Sequence, residues 1–184
     1  MEKKSSLLQF TMTYGLILGI ALIIFSLALY MMDVLPSNMK LILLTSIVNI
    51  ALMVVLVVMG SRAYRDKVLG GTITYGNAFL TGLLIVIFSS IITGFYTLIF
   101  NSIIDPEYMD KVFEATKNWT ADYLNNMGLP DSQIDQSLER IEKQQANYNA
   151  LKAFFTGIAW SAVFGVIVSL ITSAFVKKNP NPVA

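Results

Sequence analysis

The side chains that most enzymes use for acid–base and nucleophilic catalysis are largely missing from this chain. It contains no histidine and no cysteine, which excludes imidazole catalysis, thiolate nucleophiles, disulfides and cysteine-ligated zinc sites. Only Ser, Tyr, Lys and carboxylates remain available to a membrane enzyme that acts on lipids, and no spacing among them marks a nucleophile and its base. We therefore predict no catalytic residue, no bound cofactor and no enzymatic activity.

One group of acidic residues has the chemistry to bind a divalent cation. Asp105, Glu107 and Asp110 stand close together, and carboxylate oxygens are the ligands that such cations prefer. However, Asp105 followed by Pro106 and an acid is also a typical helix start, with a capping carboxylate and Pro at the first helical position. We interpret Asp105 and Pro106 as a helix cap and predict no metal site.

A glycine-rich turn lies beside basic residues, an arrangement that can cradle a phosphate. The turn motif consists of Gly70, Gly71, Thr72 and Tyr75. The Gly-x-x-x-x-Gly-Lys-Ser/Thr pattern of a nucleotide site is absent. We therefore predict a sharp turn between two helices, the second of which is capped by Thr74 or Asn77.

Four long apolar runs must position all of these residues. They cover 7–32, 41–61, 78–104 and 153–176, and none contains Asp, Glu, Lys or Arg. A helix needs about 20 apolar residues to cross a bilayer core, and the chain is 55% hydrophobic with a mean hydropathy of +0.62. We predict an all-α integral membrane protein, a four-helix transmembrane bundle whose uncharged spans argue against proton- or ion-coupled transport.

Basic residues near the ends of the spans predict the orientation. They comprise Lys3, Lys4, Arg62, Arg65, Lys67, Lys177 and Lys178. With four spans all seven lie on one face, and the face richer in Lys and Arg is cytoplasmic. We expect residues 1–6, the loop 62–77 and the tail 177–184 to lie in the cytoplasm of an inner-membrane protein, with the bases in contact with anionic lipid headgroups. The net charge of +1 indicates no nucleic-acid partner.

The segment 105–152 should therefore lie on the opposite, extracytoplasmic face. It carries nine acids and five bases, a net charge of −4. Apolar residues recur in it with helical spacing, interrupted at Gly128 and Pro130, which favours two helices. We predict a helical hairpin whose second helix begins near Asp131. No breaker separates that helix from the fourth span, so one continuous helix is expected there.

Small residues recur every four positions along the fourth span. The stripe comprises Ala153, Gly157, Ser161, Gly165, Ser169 and Ser173, and Gly15 and Gly19 in the first span are candidate counterparts. Small residues let helix backbones approach closely in lipid. We favour packing within one bundle over a homodimer. Polar residues inside the spans, such as Asn49, Thr93 and Thr97, are expected to form interhelical hydrogen bonds rather than to line a hydrophilic path.

Three stretches resemble the DUF4199 family. They are Tyr14-Gly15-x-x-x-Gly19, the run Gly70-Gly71-Thr72-Ile73-Thr74-Tyr75-Gly76-x-Ala78-Phe79, and Ile104-Asp105-Pro106-Glu107-Tyr108. The resemblance covers nearly the whole chain in order. It implies a small inner-membrane protein, mainly of Bacteroidota, with four spans and an outer segment before the last one. It implies no activity, substrate or functional residue.

Three functional classes remain open from the sequence. The favoured class is a non-enzymatic interaction, scaffold or modulatory protein that docks a protein partner through the outer hairpin, since no other sizeable segment lies outside the bilayer. The alternatives are a small transporter or channel component and a lipid-active membrane enzyme.

Overall fold

The computed structural model describes residues 6–35 and 39–179. Within these residues the secondary structure is helical, apart from one isolated β-bridge. The helices are α1 (Leu7–Met31), α2 (Met39–Lys67), α3 (Tyr75–Ile99), α4 (Tyr108–Asn126), α5 (Asp131–Ala146) and α6 (Ala150–Val176), and a π-helical segment (Phe100–Ile104) extends α3. The prediction of an all-α protein is confirmed.

Four of the described helices, α1, α2, α3 and α6, are long and apolar enough to cross a membrane. The shortest of these candidate spans has 25 residues, which at 1.5 Å per residue is about 37 Å long. A bilayer core is about 30 Å thick. The chain therefore has the helices of a multi-pass membrane protein, as predicted.

The helices extend beyond the apolar runs that predicted them. α2 continues to Lys67, six residues past the predicted end, because a helix can leave the hydrocarbon and continue where basic side chains reach water. α3 begins at Tyr75, and the Thr74 hydroxyl caps it by accepting a hydrogen bond from the N–H of Asn77 at 3.3 Å. Of the two predicted caps, Thr74 is the one used.

The expected continuous helix through α5 and α6 is wrong, because the chain breaks between them. The Asn147 side chain donates to the carbonyl of Lys143 at 2.7 Å, and the Asn149 side chain accepts from the N–H of Lys152 at 3.0 Å. Asparagine side chains compete with helical backbone hydrogen bonds in this way. One Asn therefore ends α5, and the other caps α6.

Helix α3 lies at the centre of the bundle and packs most extensively against α6 and α1. The contact with α1 is close because of a glycine. A Cβ built on Gly15 would lie 2.5 Å from the Cβ of Phe88 and 3.0 Å from the carbonyl oxygen of Ile85. A Cβ on Gly19 would lie 3.0 Å from Ile92. The predicted counterparts in α1 thus touch α3.

The predicted stripe on α6 packs against α3 along only part of its length. Gly165, Ser169 and Ser173 are buried, and a Cβ on Gly165 would lie 2.9 Å from Val86. Gly157 is exposed and its Cβ would have no described atom within 4 Å, while Ala153 and Ser161 are half-buried. Each step of four residues rotates about 40° around a helix, so the earlier residues of the stripe turn away from α3.

The bundle interior combines a small apolar core with buried hydroxyl groups. Leu18, Val57, Ile85 and Val86 form the core. The buried polar residues in the described chain are Thr11, Ser61, Thr81, Ser89, Ser90, Ser169, Thr172 and Ser173. Most of these hydroxyls donate to backbone carbonyls of their own helix, as Thr172 does to Val168 at 2.8 Å. The hydroxyls of Ser61 and Ser169 have no hydrogen-bond partner in the described residues.

The expected interhelical hydrogen bonds of the polar span residues are mostly absent in the described chain. Asn49 donates to the carbonyl of Thr45, Thr93 to that of Ser89 and Thr97 to that of Thr93, all within the same helix. Such bonds satisfy a polar group in lipid without a partner helix. Close packing therefore holds the helices together more than these side chains do.

We predict opposite effects for alanine at packed and open glycines. Gly15→Ala and Gly165→Ala should each lower the free energy of unfolding in detergent by about 1–3 kcal/mol, because the added methyl overlaps a stiff neighbour. Gly157→Ala, the matched control, should be neutral or more stable by up to about 1 kcal/mol, since alanine favours helices. Thermal or denaturant unfolding of the three variants tests this, and equal losses would refute the packing assignment.

Candidate functional site

The Gly70–Gly71 turn requires two glycines because both residues have positive φ. The values are +71° and +94°, a region that only glycine occupies without strain. The N–H of Gly71 donates to the carbonyl of Arg65 at 2.9 Å, so the turn closes back on the end of α2. The turn sets where α3 begins.

The same turn holds the end of α6. The backbones of Ile73 and Lys178 exchange two hydrogen bonds, of 2.9 and 3.0 Å. Arg65 donates to the carbonyl of Val176 at 3.1 Å, and the Tyr75 hydroxyl donates to the carbonyl of Leu170 at 2.9 Å. Thr72 is half-buried between them. The turn motif therefore has a structural explanation, and the sequence contained no local pattern that could predict these long-range bonds.

The predicted topology-setting bases that the structure describes lie at this end of the bundle. Arg62, Lys67, Lys177 and Lys178 are exposed. Arg65 is less exposed and forms a salt bridge with Asp66 at 2.8 Å. Lys3 and Lys4 lie outside the described residues. The five described bases thus occur together at one end.

At the opposite end, Asp105 joins three helical segments. It follows the π-helical segment, accepts a hydrogen bond from the Tyr30 hydroxyl of α1 at 3.2 Å, and forms a salt bridge with Lys111 of α4 at 3.2 Å. Its side chain is only 11% exposed. Partial burial raises the pKa of this carboxyl, but the hydrogen bonds from Lys111 and Tyr30 outweigh it and leave the pKa below its usual range. Its partnership also raises the pKa of Lys111.

The predicted cap at Asp105 and Pro106 lies in a turn directly before the regular part of α4. α4 begins at Tyr108, and Glu107 precedes it without a capping side-chain bond. The carbonyl of Asp105 accepts from the N–H of Tyr108 at 3.1 Å, which forms a tight turn before the helix. The Asp105 carboxylate accepts a hydrogen bond from the backbone N–H of Glu107, as a capping carboxylate does, and it also reaches Tyr30 and Lys111.

Aromatic rings surround this carboxylate. Tyr30 contacts Phe100 edge to face at 5.0 Å between ring centroids, and Tyr108 contacts Phe100 at 5.4 Å and Tyr30 at 5.8 Å. Such edge-to-face pairs are each favourable beyond the area they bury. We call Tyr30, Phe100, Asp105, Tyr108 and Lys111 the junction. It attaches the start of α4 to the ends of α1 and α3.

A side-chain hydrogen bond connects the π-helical segment to the chain between α5 and α6. The Asn101 amide donates to the hydroxyl of Tyr148 at 2.9 Å. The ring of Tyr148 also contacts Phe113 of α4 at 6.0 Å. Single-turn π segments are frequent at functional sites, and this one contains Asn101. The π segment itself had no sequence signature.

Helices α4 and α5 pack against each other and run antiparallel. Gln145 of α5 donates to Asp110 of α4 at 2.8 Å, and Lys117 of α4 lies 3.8 Å from Glu142 of α5. Neither helix has a buried residue in the described chain. α4 and α5 therefore present most of their surface to their surroundings.

One face of α4 is acidic and exposed. Glu107, Glu114 and Asp122 follow each other at intervals of seven and eight residues, which places them on one side of a helix. All three are exposed and none forms a salt bridge in the described part of the chain. We call them the acidic face of α4.

The acidic residues considered for a cation do not converge. Asp105 is held by Lys111 and Tyr30, while Asp110 accepts from Gln145. Glu107 lies on the exposed face. Among the described residues, no three carboxylates approach closely enough to hold a metal ion.

A family model described as a protein of unknown function, DUF4199, matches residues 13–178. This range contains the turn motif, the junction and all four apolar helices except the first residues of α1. The chain belongs to the DUF4199 family. The resemblance inferred from the three sequence stretches is thereby confirmed. No curated protein and no solved structure matches the chain of this DUF4199 protein.

We predict that Asp105→Asn weakens the junction in a pH-dependent way. Because the pKa of Asp105 is lower in the folded protein, its carboxylate stabilises the fold above its unfolded pKa of about 3.9. That stabilisation is lost as the pH falls through the folded pKa. Proteolysis between α3 and α4 should therefore be faster for Asp105→Asn than for wild type at pH 7, and the difference should vanish in acid.

Glu114→Gln is the matched control for this experiment. It removes one carboxylate from the same helix, but this side chain has no hydrogen bond or salt bridge in the described structure. Its proteolysis rate should equal that of wild type at every pH. Equal proteolysis rates for Asp105→Asn and Glu114→Gln at pH 7 would show that the junction does not hold α4.

Proposed function

We propose that this DUF4199 protein is a non-enzymatic membrane protein that binds a basic protein partner through the acidic face of α4. The observation that carries the proposal is the exposed line of Glu107, Glu114 and Asp122, none of which forms a salt bridge in the described residues. Unpaired charge of one sign attracts and orients a complementary surface.

Apolar side chains at the far end of α4 support the same function. Tyr123 is 46% exposed and Met127 is 60% exposed, and the ring of Trp119 stacks on Tyr123 at 5.3 Å. Aromatic residues and Met are enriched in protein interfaces. An acidic face beside exposed aromatic residues combines electrostatic attraction with apolar contact area, which are the two components of a partner site.

The attachment of the pair to the bundle favours a rigid docking platform. The junction binds α4 to α1 and α3 through Asp105, and Asn101 binds Tyr148 next to α5. A platform held at two points loses less conformational freedom when a partner binds. We infer that α4 and α5 form a hairpin that presents its acidic face at a fixed position above the membrane.

The proposal includes the orientation of the protein in a cell membrane. Five described bases lie at the end of the bundle opposite to α4 and α5, and such bases favour the cytoplasmic side. We propose that both ends of the chain are cytoplasmic and that α4 and α5 lie outside, on the extracytoplasmic face of an inner membrane.

Single-cysteine variants test the orientation, since the chain has no native cysteine. Asn125 and Asn179 are both exposed, at opposite ends of the molecule. A membrane-impermeant maleimide should label Asn125→Cys in intact cells or spheroplasts, and should label Asn179→Cys only after the membrane is permeabilised. The reverse pattern would refute the proposed orientation.

Charge-neutralised variants test the partner site. A photocrosslinking amino acid at Asn118, an exposed residue between Glu114 and Asp122, should yield one crosslinked protein of basic charge. Glu114→Gln with Asp122→Asn should reduce that product about tenfold, because screened electrostatic attraction provides much of the encounter rate. Addition of salt to about 0.5 M should have a similar effect.

The matched control is the pair Asp131→Asn and Asp135→Asn on α5, which removes the same charge from another exposed surface. This variant should retain the crosslinked product. Equal losses for the two double variants would mean that only the net charge matters, and the absence of a product at Asn118 would refute the site.

A further inference from the structure

Helix α2 packs closely against the bundle only in its second half. Its buried residues are Val57, Gly60, Ser61 and Tyr64, and its first half has no buried residue in the described chain. Clefts open on both sides of this first half, one towards α1 and one towards α6, and Asn49 lines both of them. The bundle is therefore open between its helices at the end where α4 lies.

The cleft between α1 and α2 has a volume of about 290 Å³, and its walls combine apolar side chains with those of Thr45 and Asn49. Its described lining residues include Phe25, Ser26, Leu29 and Leu41. A second cleft of about 340 Å³ shares Val34, Leu35 and Tyr108 with it. The two clefts are thus adjacent, and we call them together the α1–α2 groove.

The two ends of the α1–α2 groove differ in polarity. The end within the candidate spans is lined by Phe25, Leu29 and Leu41. Thr45 and Asn49 also line it, but both donate to carbonyls of their own helix. The other end contains Lys111, Asp105, Asp33 and the Tyr30 hydroxyl. Lys111 is 53% exposed, so its ammonium group can bind a further anion. A molecule that fits this groove has an apolar tail and a charged head.

The charges in the polar end specify the head. One ammonium group and two carboxylates line it, so a ligand with an anionic phosphate alone would meet a net negative surface. A head that carries both a phosphate and an ammonium group complements all three charges. Asp33 lies at the groove with φ of +54°, which directs this residue away from a helical path.

We propose that the α1–α2 groove binds a zwitterionic aminophospholipid of the surrounding bilayer. Lys111 binds the phosphate, Asp33 and Asp105 bind the ammonium group, and one acyl chain lies between α1 and α2. This site does not depend on the partner proposed for the acidic face of α4. In this proposal a lipid of the bilayer covers the open first half of α2.

Native mass spectrometry of the full-length protein in detergent tests the proposal with two defined lipids. Phosphatidylethanolamine should bind as one tightly retained molecule, and phosphatidylglycerol, which lacks the ammonium group, should bind about tenfold more weakly. Asp33→Asn should reduce this preference, and Asn tolerates the positive φ of the residue. Equal retention of the two lipids by wild type would refute the assigned head.

Two matched pairs of variants locate the bound lipid. Ser26→Trp fills the groove, whereas Ile24→Trp adds the same ring to an exposed residue of α1 outside it. The first should abolish phosphatidylethanolamine retention and the second should not. Lys111→Gln should weaken binding about tenfold, while Lys111→Arg, which keeps the charge, should bind within about threefold of wild type.

Each contrary outcome refutes the site. Equal retention by Ser26→Trp and Ile24→Trp would place the lipid elsewhere on the bundle. If Ser26→Trp fails to fold, the Lys111→Gln and Lys111→Arg variants still test the site. Equal phosphatidylethanolamine binding by these two variants would refute the assignment of Lys111 to the phosphate. A dimer of wild type that Ser26→Trp converts to monomer would assign the groove to a second copy of the chain instead.

Discussion

Close contact between backbones at α3 is the constraint on which the rest of this structure depends. In lipid, burial of apolar side chains gives helices little reason to associate, so packing must supply the attraction. Gly15 allows α1 to reach Phe88, and Gly165 allows α6 to reach Val86. α3 thus holds a helix on either side.

This mode of association explains why the bundle is uneven. α2 packs against its neighbours through Val57, Gly60, Ser61 and Tyr64, all in its second half. Its first half has Leu43, Leu44 and Ile47 exposed, side chains that suit lipid contact. α2 converges with the other helices at the end that contains the Gly70–Gly71 turn and diverges from them at the end that contains the junction. The same divergence produces the groove between α1 and α2.

Much of the fold could be predicted because its determinants are local. Charge-free apolar runs predicted the four long helices, and Thr74, Gly128 and Asp131 were recognisable as helix or turn boundaries. The junction was not predictable, because Tyr30 and Asp105 are 75 residues apart and nothing near either residue indicates the other. The Asn147–Asn149 break was missed for a different reason: asparagine only weakly disfavours a helix, and here its side-chain bonds decide the outcome. Asp105 itself was identified, but its partners were not.

The break between α5 and α6 has a mechanical consequence. Two of the three linker residues there use their side chains to end one helix and start the next, so α5 and α6 do not form one continuous rod. The route through α3 is different, because the π-helical segment continues that helix directly to Asp105 and the aromatic rings around it. A force applied to α4 is therefore transmitted as a lever into α3, the helix that all other spans contact, whereas α5 is joined to α6 through a linker that Tyr148 and Asn101 hold to the π-helical segment.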